Sequence, residues 1–169
     1  MVRFRLALLV VLLSAWRPPV GAAATIVLVR HADRMSGMSA DALLSPAGEE
    51  RAAQLSDVLK DAGIQRIYVT EVRRTQQTAE PIATRLRLKP IVVAKEDIDG
   101  LVGQLRKLGD GETALVIGHA DTVPLIVERL GGGSVPAIRD TEYDRLLVIV
   151  AESGGKVRVV TLRYGKATP

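Results

Sequence analysis

Short apolar runs alternate regularly with helical segments along this chain, and this alternation limits its fold more than any other feature. Four runs rich in valine, isoleucine, leucine and alanine are typical of buried strands, at residues 25–29, 67–70, 90–94 and 114–117. A helical segment follows each run. Because strands joined through helices lie parallel in one sheet, the pattern predicts an α/β domain with helices on both faces.

Capping residues support the helical segments. Ser45 and Pro46 are typical of a helix start and Gly63 of a helix end. Further helices are predicted over residues 73–88, where Pro81 is accommodated, 97–108 and 122–130. Two last strands, 146–151 and 157–162, flank the turn sequence Ser153-Gly154-Gly155 and predict an antiparallel edge hairpin. We therefore expect a three-layer sandwich with a mixed, mostly parallel sheet.

The N-terminus has the composition of a secretory signal peptide. Arg3 and Arg5 precede an apolar run over residues 6–15, and small residues follow at 20–24. The run is shorter than the roughly 20 residues of a membrane span. The alternatives are an N-terminal anchor or an amphipathic helix. We predict a signal peptide at 1–24, a single domain at 25–169, export to the periplasm or outside the cell, and no membrane attachment after cleavage.

Composition excludes several classes of function. The chain has no cysteine, so disulfides, thiol catalysis and cysteine zinc sites are excluded. The formal charge of +4 falls to +1 without the three arginines of the signal segment. Beyond that segment only Tyr68, Tyr143 and Tyr164 are aromatic, too few for a base-stacking platform. We therefore expect no nucleic-acid partner.

The only two histidines of the chain each follow a predicted strand. His31 comes after the first strand and His119 after the fourth. Because the carboxyl ends of parallel strands meet at one edge of the sheet, where ligands bind, we expect both imidazoles at the same edge. One histidine in such a position is commonly structural, whereas a matched pair indicates a functional site.

Arginines are predicted at the same edge. Arg30 precedes His31, and Arg73 and Arg74 open the helix after the second strand, where cations are unfavourable unless an anion binds. Guanidinium groups bind phosphoryl oxygens in a bidentate manner, and an imidazole is able to attack phosphorus. The surrounding positive charge keeps that imidazole neutral. The pattern indicates phosphoryl transfer, without a metal or another cofactor.

Four motifs resemble those of the histidine phosphatase superfamily, which has the phosphoglycerate-mutase-like fold. Arg30-His31-Ala32-Asp33 is similar to its Arg-His-Gly or Arg-His-Ala-Glu signature. Leu44-Ser45-Pro46-Ala47-Gly48 is similar to its Leu-Thr-x-x-Gly element. Arg74-Thr75-Gln76-Gln77-Thr78-Ala79 is similar to its Arg-Ala-x-Gln-Thr-Ala element, with threonine for alanine, and Gly118-His119 matches the second-histidine motif. The small branch that resembles phosphohistidine phosphatase is the nearest in size.

The resemblance implies a role for each matching residue. His31 is the expected phosphorylated nucleophile, and Arg30, Arg74 and His119 form the expected phosphate pocket. Ser45 or Thr70 is expected to touch the substrate, a small phosphorylated molecule. Arg73 lies outside the motif register and is expected at the surface or rim.

The general acid is left open by the sequence. Asp121 follows the second histidine and is the first candidate. Asp97, with its neighbour Glu96, is the second, and Asp33, beside the nucleophile, is the third. Asp97 and Asp121 are equally able to cap helices. The branch that resembles phosphohistidine phosphatase lacks a dedicated acid.

The residues therefore predict an exported phosphatase that forms a phosphohistidine on His31 and acts on phosphomonoesters or phosphohistidine. One alternative is an anion-binding protein that has kept the pocket but lost turnover. Another is a metal site that uses both histidines. Residues 34–43 and 139–144 are expected to border the pocket.

Overall fold

A six-stranded sheet organises residues 23–37, 41–152 and 155–168, which are those that the computed structural model describes. The strands are β1 (Ala24–Arg30), β2 (Ile64–Val69), β3 (Ile91–Val92), β4 (Thr113–Gly118), β5 (Arg145–Ala151) and β6 (Val157–Arg163). The helices are α1 (Pro46–Leu59), α2 (Arg73–Leu86), α3 (Ile98–Leu105) and α4 (Thr122–Arg129).

The sheet is mixed, as predicted, with the spatial order β3-β2-β4-β1-β5-β6. The first four strands in the chain are parallel to one another, and β5 pairs antiparallel with both β1 and β6. The central pair is β1 and β4, in which Arg30 lies opposite Gly118. The two residues that follow this pair are His31 and His119, so the topology brings both histidines to one edge of the sheet.

Alternate residues of the central strands face the two helical layers. Val27 and Val29 of β1 pack with α1 and α2, whereas Ile26 and Leu28 pack with α3 and α4. This period of two in a strand buried on both faces explains the continuous apolar run in the sequence. The three-layer α/β sandwich predicted from the sequence is confirmed.

Some boundaries differ from the prediction for local physical reasons. Strand β2 begins at Ile64, three residues early, because the chain pairs with β4 across an irregularity between Ile64 and Arg66. Helix α2 is continuous through Pro81 and ends at Leu86, where Arg87 adopts a left-handed conformation with φ of 55°. Helix α3 ends at Leu105 rather than at Leu108.

The predicted signal segment lies outside the described residues, apart from Ala23 and Ala24. Within the part of the chain that is described, no helix is both long and apolar enough to cross a membrane.

Candidate active site

The two histidines meet at the carboxyl ends of β1 and β4. The His31 N–H donates to the Gly118 carbonyl at 2.9 Å, which continues the strand pairing by one residue. The ring centroids of His31 and His119 are 5.4 Å apart, with an interplanar angle of 64°. Both side chains are buried, each with 3% of its surface exposed. Two residues 88 positions apart in the sequence thus share one small space.

The hydrogen bonding of His31 leaves one ring nitrogen able to act as a nucleophile. Its Nδ1 lies 2.8 Å from the Ala32 carbonyl, and a carbonyl oxygen only accepts, so Nδ1 carries the proton. The neutral ring therefore has its lone pair on Nε2. Burial, with the nearby charges of Arg30 and Arg74, lowers the pKa of His31 to about 3 from an ordinary value of 6.5. The imidazole ring is thus uncharged at neutral pH, with one proton on Nδ1.

His119 is held on both nitrogens. Its Nε2 lies 3.0 Å from the Thr70 hydroxyl, and its Nδ1 lies 3.3 Å from Arg74 Nη2. Burial first, and then the charges of Arg74 and Lys95, lowers its pKa to about 4. Thr70, which the sequence predicts as a substrate contact, is buried and hydrogen-bonded to His119 here. Its role toward a substrate stays a prediction.

Arg30 is fixed by a segment that comes much later in the chain. Its Nη1 donates to three carbonyls, those of Arg139, Asp140 and Glu142, at 2.8, 2.9 and 3.0 Å. Its guanidinium carbon lies 4.2 Å from the ring centroid of Tyr143, within the range of a cation–π interaction. These contacts occupy Nη1 only. Among the described residues, Arg30 Nε is buried with no hydrogen-bond partner.

The 139–144 segment reaches the site because β5 runs antiparallel to β1. The start of β5 therefore lies at the edge where β1 ends. Glu142 is buried and accepts from both Arg145 and Arg163, which anchors the segment to the last two strands. The sequence predicts that this segment borders the pocket. The contact of Tyr143 with Arg30 was missed, because it depends on the strand direction that only the sheet defines.

A cavity of about 430 Å³ opens between these groups. Its walls combine four cationic side chains with both histidines and two carboxylates: Arg30, Arg34, Arg74, Lys95, His31, His119, Asp121 and Asp140. The excess of cations over carboxylates makes this cavity suited to an anion with more than one charge. Arg34 belongs to the 34–43 segment that the sequence predicts to border the pocket, although no role was predicted for it by name. Lys95 was not predicted as a site residue, since it lies in no recognised motif.

The candidate acids differ in position. Asp121 lines the cavity, and its Oδ2 lies 2.9 Å from Lys95 Nζ. Partial burial acts to raise the Asp121 pKa, but the hydrogen bond and charge of Lys95 outweigh it and hold the pKa below its usual value. Asp97 caps α3 by accepting from the Gly100 N–H at 3.0 Å. Neither Asp97 nor its exposed neighbour Glu96 lines the two-histidine cavity.

Two further predicted residues have structural contacts. Asp33 forms an ion pair with buried Arg51 at 2.6 Å. Ser45 caps α1, with its hydroxyl accepting from the Gly48 N–H and donating to the Asp33 carbonyl. Neither lines the cavity, and their predicted roles toward a substrate stay predictions. Arg73 is exposed, and its N–H donates to Asp41.

Helix α2 supports the loop that follows His31. The Thr78 hydroxyl accepts from the Ala32 N–H at 2.9 Å and donates to the Arg74 carbonyl at 2.7 Å. The Gln77 side-chain oxygen accepts from the Leu44 N–H at 3.0 Å. Gln77 and Thr78 belong to a motif recognised in the sequence, and these contacts give them a positioning role.

The low pKa values of the histidines predict acid-sensitive stability. Below its ordinary pKa of 6.5 each histidine is protonated in the unfolded chain, but in the folded protein it stays neutral down to pH about 3 or 4. The unfolded state therefore binds more protons in this window, and the free energy of unfolding falls as pH is lowered. We expect a loss of about 4 kcal/mol between pH 7.5 and pH 5 from both histidines together.

Urea unfolding at both pH values measures this loss. The matched variant His31→Gln removes one of the two titrating groups, so its loss is expected to be about half as large. An equal loss in the variant and in the parent protein would contradict a buried neutral His31.

A neutral imidazole beside arginines is suited to accept a phosphoryl group, and fold and site together are those of a phosphoric monoester hydrolase. The model of the histidine phosphatase superfamily (branch 1) matches residues 26–98. Over these 73 of its 169 residues the chain is similar to the histidine phosphatase superfamily. The matched residues include β1 from Ile26 onward, His31, Arg74 and all of α1 and α2.

Solved structures show the same fold. The protein histidine phosphatase SixA complexed with tungstate matches with a TM-score of 0.68 and 20% identity, over 82% of this chain and 96% of that chain. The mycobacterial glucosyl-3-phosphoglycerate phosphatase Rv2419c matches with a TM-score of 0.63 and 13% identity, over 85% and 99%. A phosphoserine phosphatase variant from Entamoeba histolytica, in complex with phosphoserine, matches with 0.61 and 12%, over 83% and 96%. No curated protein matches significantly by sequence.

Proposed function

We propose that this chain is an exported, metal-independent phosphatase that hydrolyses phosphomonoesters or phosphohistidine through a phosphohistidine intermediate on His31. The observation that carries the proposal is the state of His31, which is neutral and has its Nδ1 proton committed to Ala32. Nε2 is then the nitrogen able to attack phosphorus. The signal-like N-terminal sequence supports export.

Two displacement steps complete the proposed reaction. The Nε2 lone pair of His31 forms a bond to phosphorus while the bond to the leaving group breaks. A water molecule then attacks the phosphohistidine, which releases inorganic phosphate and returns the neutral imidazole. Arg30, Arg74 and His119 surround the cavity and stabilise the negative charge on the transferring phosphoryl oxygens.

Among the described residues that line the cavity, none is a strong proton donor for the leaving group. Asp121 is the one candidate acid of the sequence analysis that lines the cavity, and Lys95 holds it ionised. A carboxylate with a lowered pKa is a poor general acid. Substrates whose leaving group needs little help are therefore favoured. A phosphohistidine is one, because the nitrogen of its imidazole that is not bonded to phosphorus takes a proton from solvent.

This choice of substrate is supported, as a likeness of fold, by the SixA structure, which is described as a protein histidine phosphatase. The alternative is a protein that binds phosphate without turnover. The ion pair of Asp121 with Lys95 is the observation that favours this alternative. Measured hydrolysis distinguishes the two.

Hydrolysis with trapping tests the proposal. We expect the protein to hydrolyse p-nitrophenyl phosphate in the presence of EDTA, and to hydrolyse simple alkyl phosphates at least about 100-fold more slowly, since an alkoxide requires a general acid. Quenching in alkaline denaturant is expected to trap one phosphoryl group on a peptide that contains His31. Loss of activity in EDTA that returns with added metal would instead support the metal-site alternative.

A further inference from the structure

Two buried hydroxyl groups connect His119 to the turn that precedes α2. The Thr70 hydroxyl lies 3.0 Å from His119 Nε2 and 3.0 Å from the Thr75 hydroxyl. The Thr75 hydroxyl in turn lies 2.8 Å from the Val72 carbonyl. We call the side chains of Thr70 and Thr75 the hydroxyl pair. Thr75 has no exposed surface and does not line the two-histidine cavity.

The groups at the two ends of this connection decide where each proton lies. Arg74 Nη2 is only a donor, so His119 Nδ1 accepts from it at 3.3 Å. At the other end the Val72 carbonyl only accepts, so the Thr75 hydroxyl donates to it. The direction of hydrogen bonding is thereby fixed from both ends.

Backbone amides occupy acceptor sites on both hydroxyls. The Thr70 N–H donates to Thr75 Oγ1 at 3.1 Å, and the Val72 N–H donates to Thr70 Oγ1 at 3.3 Å. With these roles assigned, Thr70 donates its own proton to Thr75 and accepts from His119 Nε2. Each hydroxyl then makes one donated and two accepted hydrogen bonds, so the hydroxyl pair is fully satisfied.

We propose that Thr75 is a positioning residue for His119. By accepting the Thr70 proton, Thr75 makes Thr70 present a lone pair to the imidazole, which keeps the His119 proton on Nε2. Nδ1 is then the nitrogen that accepts from Arg74 and that is able to bind a further proton when a phosphoryl group arrives. The assignment rests on the proposed function in that a phosphoryl group is the expected ligand. Thr75 is also where the chain has threonine and the family motif has alanine.

The charges around His119 give this arrangement a consequence for binding. The groups that influence it are two cations, two carboxylates and the other imidazole: Arg74, Lys95, Asp121, Glu71 and His31. An arriving phosphate dianion adds negative charge beside the imidazole and favours its protonated form. Because Nε2 already carries a proton, the added proton binds Nδ1, which then donates to the phosphoryl group.

Removal of the Thr75 hydroxyl is expected to remove the preference of His119 for the Nε2–H tautomer. In Thr75→Val the Thr70 hydroxyl loses its acceptor and becomes free to turn its proton toward His119 Nε2. That orientation favours the other tautomer and opposes the Arg74 contact. We expect kcat/KM for p-nitrophenyl phosphate to fall about tenfold, which is the change in rate that corresponds to the free energy of one buried hydrogen bond. Thr75→Ser keeps the hydroxyl and is expected to remain within about twofold of the parent protein.

Long-range ¹H–¹⁵N correlation spectra of ¹⁵N-histidine-labelled full chain report the tautomer directly. Two histidines give only two patterns, and His31→Gln assigns them. We expect a pure Nε2–H tautomer for His119 in the parent protein and in Thr75→Ser, and a mixture of tautomers in Thr75→Val and Thr75→Ala. Ser56→Ala is the matched control, because Ser56 has a buried hydroxyl without a hydrogen-bond partner among the described residues.

The results separate the possible outcomes. A parent-like tautomer in both Thr75→Val and Thr75→Ala would overturn the proposal, and so would equal losses of activity in Thr75→Val and Thr75→Ser. If Thr75→Val does not fold, the comparison of Thr75→Ala with Thr75→Ser decides. If the parent protein hydrolyses neither a phosphate ester nor phosphohistidine, the proposed function fails, while the tautomer comparison still tests Thr75.

Discussion

The His31→Ala variant is expected to lose turnover of p-nitrophenyl phosphate by at least about 10⁴-fold in kcat, the scale seen when a covalent nucleophile is removed. The His31 ring lies at the carboxyl end of β1, with Nδ1 hydrogen-bonded to the Ala32 carbonyl. No other described nucleophile lies in the same position. His119 is the only other imidazole in the chain, and it is held by Thr70 and Arg74. It is therefore not placed to substitute for His31.

Phosphate binding provides the internal control for this variant. Arg30, Arg74 and His119 remain in His31→Ala, so the affinity for inorganic phosphate is expected to change by less than about tenfold. The trapped phosphoryl group is expected to disappear. Turnover within about 100-fold of the parent protein, or a phosphoryl group trapped on another residue, would show that His31 is not the nucleophile.

The Arg30→Ala variant is expected to lower kcat/KM by about 10³-fold, because it removes a cation proposed to stabilise the transferring phosphoryl group and also releases the 139–142 segment that borders the cavity. Three carbonyls, those of Arg139, Asp140 and Glu142, accept from Arg30 Nη1. In the variant these partly buried acceptors lose a charged donor. Arg30→Lys is expected to recover little, since one ammonium is unable to donate to the loop and the phosphate in the guanidinium geometry.

Arg34→Ala is the matched control for this prediction. Arg34 lines the same cavity and carries the same charge, but its side chain is exposed. We expect its loss to lower kcat/KM by less than about tenfold, mainly through KM, because an exposed charge is screened by solvent. Equal effects of Arg30→Ala and Arg34→Ala would mean that general positive charge, rather than the fixed position of Arg30, accounts for the activity.

The sequence was sufficient for the fold because its signals are local and agree with one another. The runs at the positions of β1 and β4 are apolar throughout, which strands buried on both faces require. Ser45 and Pro46 mark the start of α1, where the structure also has it. The edge strand β3 was less predictable from the sequence. It has only two residues, both exposed, so the predicted strand at 90–94 had little burial to define its ends.

The residues of the site likewise divide into those that a local sequence signal predicts and those that it does not. His31 and His119 were found because each directly follows a strand, and Arg74 because it opens the next helix. Lys95 was not, although it directly follows the predicted strand at 90–94, because it lies in no recognised motif. Tyr143 was predicted only as part of the 139–144 segment that borders the pocket. Asp97 and Ser45 show the reverse case, in which residues singled out for chemistry make helix caps in the structure.

By itself, the sequence determined the α/β class, the superfamily resemblance and the edge of the sheet at which the histidines lie. Periodicity and strand ends are local properties, and parallel strands align those ends automatically. Only the tertiary structure decided the tautomer of His31, the restraint of Arg30 by the carbonyls of residues 139, 140 and 142, and the ion pair that holds Asp121 ionised. These depend on distances of about 3 Å between segments far apart in the chain, which no local pattern records.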